Sequence, residues 1–186
     1  MFRQNIPNLL TILRIVLTPV FVYFFIQKSL TEVIIGSLIF VICCLLDYLD
    51  GSLARKWKVE SNFGKIWDPL ADKILILTAI YLLWYKGYIL LLIFLIILFR
   101  EILITLLREH YRRKKIVISA NIFGKIKTIM QMIGIIIILV LHVLILCNVL
   151  DKQNIILGAN IYFYVVTVAT VLSSWNYLKR YLKDFF

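Results

Sequence analysis

Four carboxylates, Asp47, Asp50, Asp68 and Asp72, fall within 26 positions of a 186-residue chain that carries only ten acidic residues in all. Their spacing is helical. Asp47, Asp50, Gly51, Ala54 and Arg55 stand at i, i+3, i+4, i+7 and i+8 and share one helix face, and Asp68 and Asp72 stand one turn apart on the next helix. Carboxylates gathered in this way repel one another unless cations neutralise them, and a ligand set made only of oxygen selects hard divalent ions such as Mg2+ or Mn2+. The pattern points to a metal site with all four aspartates as ligands. The competing reading pairs each aspartate with a nearby lysine or arginine.

The surroundings make that charge expensive. Hydrophobic residues are 62% and aromatics 14% of the chain, and mean hydropathy is +0.95, against roughly 45–50% apolar usage in soluble domains. Six apolar runs, near 8–27, 31–54, 66–85, 88–107, 122–148 and 155–178, reach the length of about 20 residues that crosses a bilayer as a helix. With short connections and no repeat or low-complexity linker, this predicts an all-α polytopic membrane protein: one domain over residues 1–186, a bundle of six transmembrane helices. The first run has no small-x-small cleavage site and reads as a retained helix. The second helix ends near Arg55, which sets Asp47 roughly 12 Å from that end, at the edge of the apolar slab or inside it. The third begins around Gly64 to Asp68, and Pro69 is tolerated in a first turn whose amides lack intrahelical partners. The short connection predicts antiparallel neighbours whose acidic faces meet. Charged side chains at membrane depth are costly and usually functional, which favours the metal site over simple pairing.

The net charge of +11 is distributed as a membrane protein requires, not as a nucleic-acid binder requires. If six helices alternate from a cytoplasmic N-terminus, seventeen Lys and Arg fall inside, Arg14, Arg55, Lys73, Arg108, Lys125 and Lys127 among them, and three outside: Lys28, Lys86 and Lys152. Arg100 is left within the membrane. The positive-inside rule then sets both termini in the cytoplasm, and much of the basic charge serves topology and attraction to anionic lipid headgroups.

The run Asp47-x2-Asp50-Gly51-x2-Ala54-Arg55-x8-Gly64-x3-Asp68-x3-Asp72 resembles, without departure, the signature of the CDP-alcohol phosphatidyltransferases. The resemblance covers essentially the whole chain. "NIPNLLTILR" at 5–14, "DPLADK" at 68–73, "REI" at 100–102 and "GKIKTIMQ" at 124–131 are similar to the bacterial members that use glycerol 3-phosphate. It implies transfer of the phosphatidyl group of CDP-diacylglycerol to sn-glycerol 3-phosphate, with two divalent ions, at the cytoplasmic face of a bacterial inner membrane, by a homodimer. It also implies roles: Asp47, Asp50 and Asp68 as principal metal ligands, and Asp72 as a further ligand and as base on the acceptor hydroxyl. Gly51 and Ala54 lack bulk, so a nucleotide can approach their helix, and Arg55 offers a forked pair of donors to a phosphate. Ser61 and Gly64 resemble the positions that border the cytidine, and Asn8 and Thr11, at i and i+3, resemble an element that lines the nucleotide pocket. Capping near a helix start is the plainer role for those two.

A phosphorylated acceptor needs a second anion site. Lys125, Lys127, Thr128 and Gln131 open the fifth helix, where free amides and the helix dipole add to two ammonium groups. Arg100 lies about two turns inside the membrane from Arg108 and reads as a phosphate contact, with an Arg100–Glu101 pairing as its structural alternative. Other readings are a different acceptor, with cardiolipin synthesis from phosphatidylglycerol as the nearest, or a divalent-cation channel or transporter, which does not require Gly51, Ala54, Arg55 and Gly64 at this spacing. Cys43, Cys44 and Cys147 form no CxxC pair and read as small core side chains. His142 reads as packed or hydrogen-bonded, and Trp67, Trp84, Tyr85 and Tyr111 as interfacial anchors.

Overall fold

The computed structural model describes residues 2–57, 62–113 and 122–185. Among these residues six α-helices follow in order: α1 Phe2–Ile26, α2 Leu30–Trp57, α3 Asn62–Tyr85, α4 Leu91–Arg113, α5 Ile122–Leu146 and α6 Lys152–Phe185. Each coincides with one of the six apolar runs. Four are long and apolar enough to cross a membrane, over Asn8–Ile26, Leu30–Ser52, Ile126–Leu146 and Lys152–Ser174. The other two carry charge along their length, with Asp68, Asp72 and Lys73 on α3 and Arg100, Glu101 and Arg108 on α4. The chain is a multi-pass membrane protein whose site charges lower the apolarity of the helices that bear them.

The bundle buries one aromatic and aliphatic core. Phe21 and Phe25 of α1, Phe40 of α2, Ala79 and Leu83 of α3, Ile97 of α4, Ile135 and Leu139 of α5 and Phe163 of α6 all belong to it. Large apolar side chains such as Val16, Leu38, Leu92, Phe99 and Leu172 face outward, as a lipid-facing surface requires and a water-facing one would not tolerate in such numbers. The most extensive packing is of α1 on α2, and α1 also packs on α3. Gly36 permits that approach: a Cβ there would stand 2.8 Å from the backbone nitrogen of Phe25, the close helix crossing that small residues allow in membranes. Direct packing of α2 on α3 is slight by comparison. The two acidic helices are therefore brought together chiefly through α1, which packs on both.

The end of the bundle away from the aspartates is tied by helix caps. Gly87, at φ 77°, lets the Tyr88 N–H donate to the Leu83 carbonyl and the Gly87 N–H to Trp84, and Asn148, at φ 57°, does the same after α5 with Val149 to Leu144 and Asn148 to Ile145. These are left-handed C-terminal caps, which glycine and asparagine accept at least cost. Lys86 Nζ donates to the carbonyls of Ile26 and Gln27 at 3.0 and 3.2 Å, closing the end of α1. Burial, with Lys152 and Lys28 nearby, pushes Lys86 below the usual lysine range. His142 is packed as expected, its Nδ1 2.5 Å from the Tyr88 hydroxyl. Two expectations are corrected: Cys147 is exposed, because it lies where α5 gives way to its turn, whereas Cys43 and Cys44 are buried, and Tyr111 is only 2% exposed and so is no surface anchor.

Candidate active site

Three helices converge on one guanidinium. Thr11, Arg14 and Thr18 follow at i, i+3 and i+7 on α1, and all three are buried, Arg14 completely. Arg14 Nη1 stands 2.7 Å from Asp47 Oδ1 of α2 and also pairs with Asp72 of α3, while Nη2 pairs with Asp50. The Thr11 hydroxyl donates to Asp68 Oδ1, so α1 touches all four aspartates. Asp50 is buried, whereas the Asp47 and Asp72 side chains keep 34% and 40% of their exposure. The Thr18 hydroxyl donates to the Arg14 carbonyl at 2.8 Å and leaves the guanidinium to the carboxylates.

The sequence places Arg14 among the inside charges with a topological role; the structure puts it at the centre of the cluster. The signal for it was present. Arg14 continues the face of Asn8 and Thr11 by one more turn, and it lies inside an apolar run, the same anomaly that singles out Arg100. Neither competing account of the aspartates describes the arrangement fully: the carboxylates are paired, yet three share one cation from a third helix. Among the described residues no three His, Cys, Asp or Glu side chains form a ready metal cage. The donor set nonetheless fits a hard divalent ion. It is all oxygen, it reaches a common cation from two helices, and one guanidinium leaves four aspartates under-neutralised.

The other positions expected around the nucleotide are only partly in view. A Cβ built on Gly51 meets no atom of the described residues within 4 Å. Ser61, the side chains of Ala54, Arg55 and Lys125 and the surroundings of Gly64 lie outside the described residues.

A second feature adjoins the cluster. A cavity of about 210 Å3 opens between α3, α4 and α5, and Asp72, Lys73, Arg100, Arg108, Lys127 and Thr128 line it. Asp72 thus borders both the carboxylate cluster and this basic cavity. Lys127, 6% exposed, pairs with Glu101, and Arg100 Nη1 meets the same carboxylate oxygen at 2.9 Å. The rest of Arg100 is turned to α6: Nε donates to the Thr170 carbonyl at 3.1 Å and to Ser174 at 2.5 Å, and Nη2 to Ser173 at 2.7 Å. The Arg100–Glu101 pairing is therefore present, and Arg100 fastens α4 to α6 at the cavity wall. The Thr128 hydroxyl donates to the Gly124 carbonyl at 3.2 Å. Lys73 and Arg108, topological charges by sequence, bring further positive charge to the cavity. Lys73 Nζ donates to Thr105 at 2.6 Å and, among the described residues, forms no ion pair. Gln131 is 2% exposed and also lines the cavity, and its Nε2 has no partner among the described residues.

Residues 4–175 match the model of the CDP-alcohol phosphatidyltransferase family. The chain belongs to that family. Similar bacterial proteins carry the name CDP-diacylglycerol–glycerol-3-phosphate 3-phosphatidyltransferase. That of Rickettsia bellii is 34% identical, with 98% of each chain covered. That of Salmonella paratyphi A is 36% identical over 94% of this chain and 92% of its own, and that of Mycoplasma genitalium 33% identical over 95% and 82%.

Proposed function

We propose that this protein transfers the phosphatidyl group of CDP-diacylglycerol to sn-glycerol 3-phosphate, giving phosphatidylglycerophosphate and CMP. The observation that carries the reading is the position of Asp72, which borders the carboxylate cluster on one side and the basic cavity on the other. A single carboxylate so placed can serve the donor and the acceptor at once. The acceptor hydroxyl attacks the phosphorus esterified to diacylglycerol, the bond from that phosphorus to the CMP oxygen breaks, and the hydroxyl proton passes to Asp72. Two divalent ions, Mg2+ or Mn2+, when held by Asp47, Asp50, Asp68 and Asp72, supply neutralisation of the pyrophosphate and of the leaving CMP.

Asn8, Thr11, Gly51, Ala54, Arg55, Ser61 and Gly64 bind the CDP end of the donor. In the cavity Lys127, Lys125 and Thr128 receive the acceptor phosphate, with Arg100 at the wall, and Gln131 offers its carboxamide to a glycerol hydroxyl. The imbalance of seventeen inside basic residues to three outside supports six spans with both termini in the cytoplasm, and hence a site that opens to the cytoplasmic side of a bacterial inner membrane. The working unit proposed, on the family resemblance, is a homodimer.

The roles within the quartet are separable. Asp47→Asn weakens metal and CDP-lipid binding, whereas Asp72→Asn mainly suppresses turnover and leaves more nucleotide binding intact. Binding of a CDP-lipid analogue and single-turnover CMP release, measured on both variants, test this. Equal loss of binding in the two removes the case for Asp72 as a distinct base.

A further inference from the structure

We propose that Arg14 competes with divalent cations for the carboxylate cluster and so sets how tightly the site holds metal. This rests on the metal reading above and extends it to a residue outside the aspartate signature. Arg14 Nη1 and Nη2 already engage one oxygen each of Asp47, Asp50 and Asp72. A small divalent ion ligates carboxylate oxygen at about 2.0–2.2 Å. An ion on any of these oxygens stands within a few ångströms of the guanidinium, in a buried setting where like charges repel strongly. Loading therefore costs at least one of the Arg14 contacts.

The guanidinium is free to give one up. Its Nε–H has no partner among the described residues, and Thr18 binds the Arg14 backbone carbonyl, not its side chain. The head of Arg14 is thus held by the carboxylates that the metal also wants. In return Arg14 acts as a positioning residue for the metal-free protein: it ties α2 to α3 through α1 and keeps the carboxylates from splaying. The same residue stabilises the metal-free bundle and opposes metal binding.

The test compares the purified parent with Arg14→Gln and Arg14→Lys, without substrate and at one pH. Mn2+ binding is read by electron paramagnetic resonance of the free ion, and thermal unfolding is followed in EDTA and in saturating Mn2+. If loading costs one charge-assisted hydrogen bond, Arg14→Gln binds Mn2+ at least about tenfold more tightly than the parent. Its melting temperature falls in EDTA, and its gain on adding Mn2+ exceeds the parent's. Arg14→Lys keeps the charge but cannot fork across several carboxylates, so its Mn2+ affinity falls between the two and provides the reading if Arg14→Gln does not fold. Affinity equal to or weaker than the parent's in the variants overturns the proposal, as does an equal loss of stability with and without Mn2+. A parent that binds no Mn2+ overturns the metal reading itself, a result distinct from a parent that binds Mn2+ and variants that bind it no better.

Discussion

Replacing Lys127 by methionine separates a phosphate-binding lysine from a merely topological one. The ammonium is 6% exposed, lines the basic cavity and pairs with Glu101. Its removal does not strand that carboxylate, because Arg100 Nη1 remains 2.9 Å away, and methionine keeps most of the side-chain volume. The change therefore removes a charge from the cavity with little other damage. A hydrogen bond to a charged group contributes about 1.5–3 kcal/mol, so Lys127→Met lowers kcat/KM for glycerol 3-phosphate by about 10- to 150-fold. The assay is CMP release against acceptor concentration at saturating CDP-diacylglycerol, paired with direct binding of the CDP-lipid. Donor binding stays near the parent value. Lys152→Ala is the control, since Lys152 lies at the opposite end of the bundle, where its Nζ donates to the Lys86 carbonyl at 2.7 Å. A value of kcat/KM for glycerol 3-phosphate within twofold of the parent in Lys127→Met, or an equal loss of CDP-lipid binding, shows that Lys127 does not hold the acceptor phosphate.

Arg100→Met removes three hydrogen bonds to α6, while Ser173 and Ser174 keep their bonds to the Thr170 carbonyl; at the modest value such bonds have in membranes it costs about 2 kcal/mol of stability, read as a lowered melting temperature in detergent. Its effect on acceptor KM is smaller than that of Lys127→Met, and the reverse order marks Arg100 as the principal phosphate contact. Gly36→Ala drives a Cβ to 2.8 Å from the Phe25 backbone nitrogen and costs about 1–3 kcal/mol by overpacking. Because α1 carries Arg14 and Thr11, turnover falls with stability in that variant, and unchanged melting and turnover count against the close α1–α2 crossing.

The helices and the carboxylates were legible because both depend on local spacing. Apolar runs of bilayer length locate helices without tertiary information, and aspartates three or four residues apart share a face wherever the helix goes. Arg14 was not legible in the same way. An arginine near the start of a cytoplasmic-facing helix satisfies the positive-inside rule whatever it touches, and only the packing of α1 between α2 and α3 shows that it meets three carboxylates. Arg100 has the opposite history. Its depth marked it as unusual, but depth alone does not distinguish a ligand contact from a helix tie, and the hydroxyls of Ser173 and Ser174 that receive it lie some seventy positions away. Lys73 and Arg108 were hidden among topological charges for the same reason. The acidic faces of α2 and α3 meet as their spacing predicts, but the part α1 plays in joining them was not legible, because a short connection does not name the element that packs on both.

In the function proposed above, the cluster and the cavity together join a CDP-linked lipid to a phosphorylated alcohol with the help of divalent ions. The most direct measurement is CMP release by the purified protein from CDP-diacylglycerol, with glycerol 3-phosphate, glycerol, phosphatidylglycerol, serine or inositol phosphate offered separately, in EDTA and after addition of Mg2+ or Mn2+. The expected result is rapid CMP release with glycerol 3-phosphate, poor release with neutral glycerol, none in EDTA, and recovery when either metal is restored. Full turnover in metal-free buffer contradicts the role of the carboxylates, and preference for any other acceptor contradicts the role of the basic cavity.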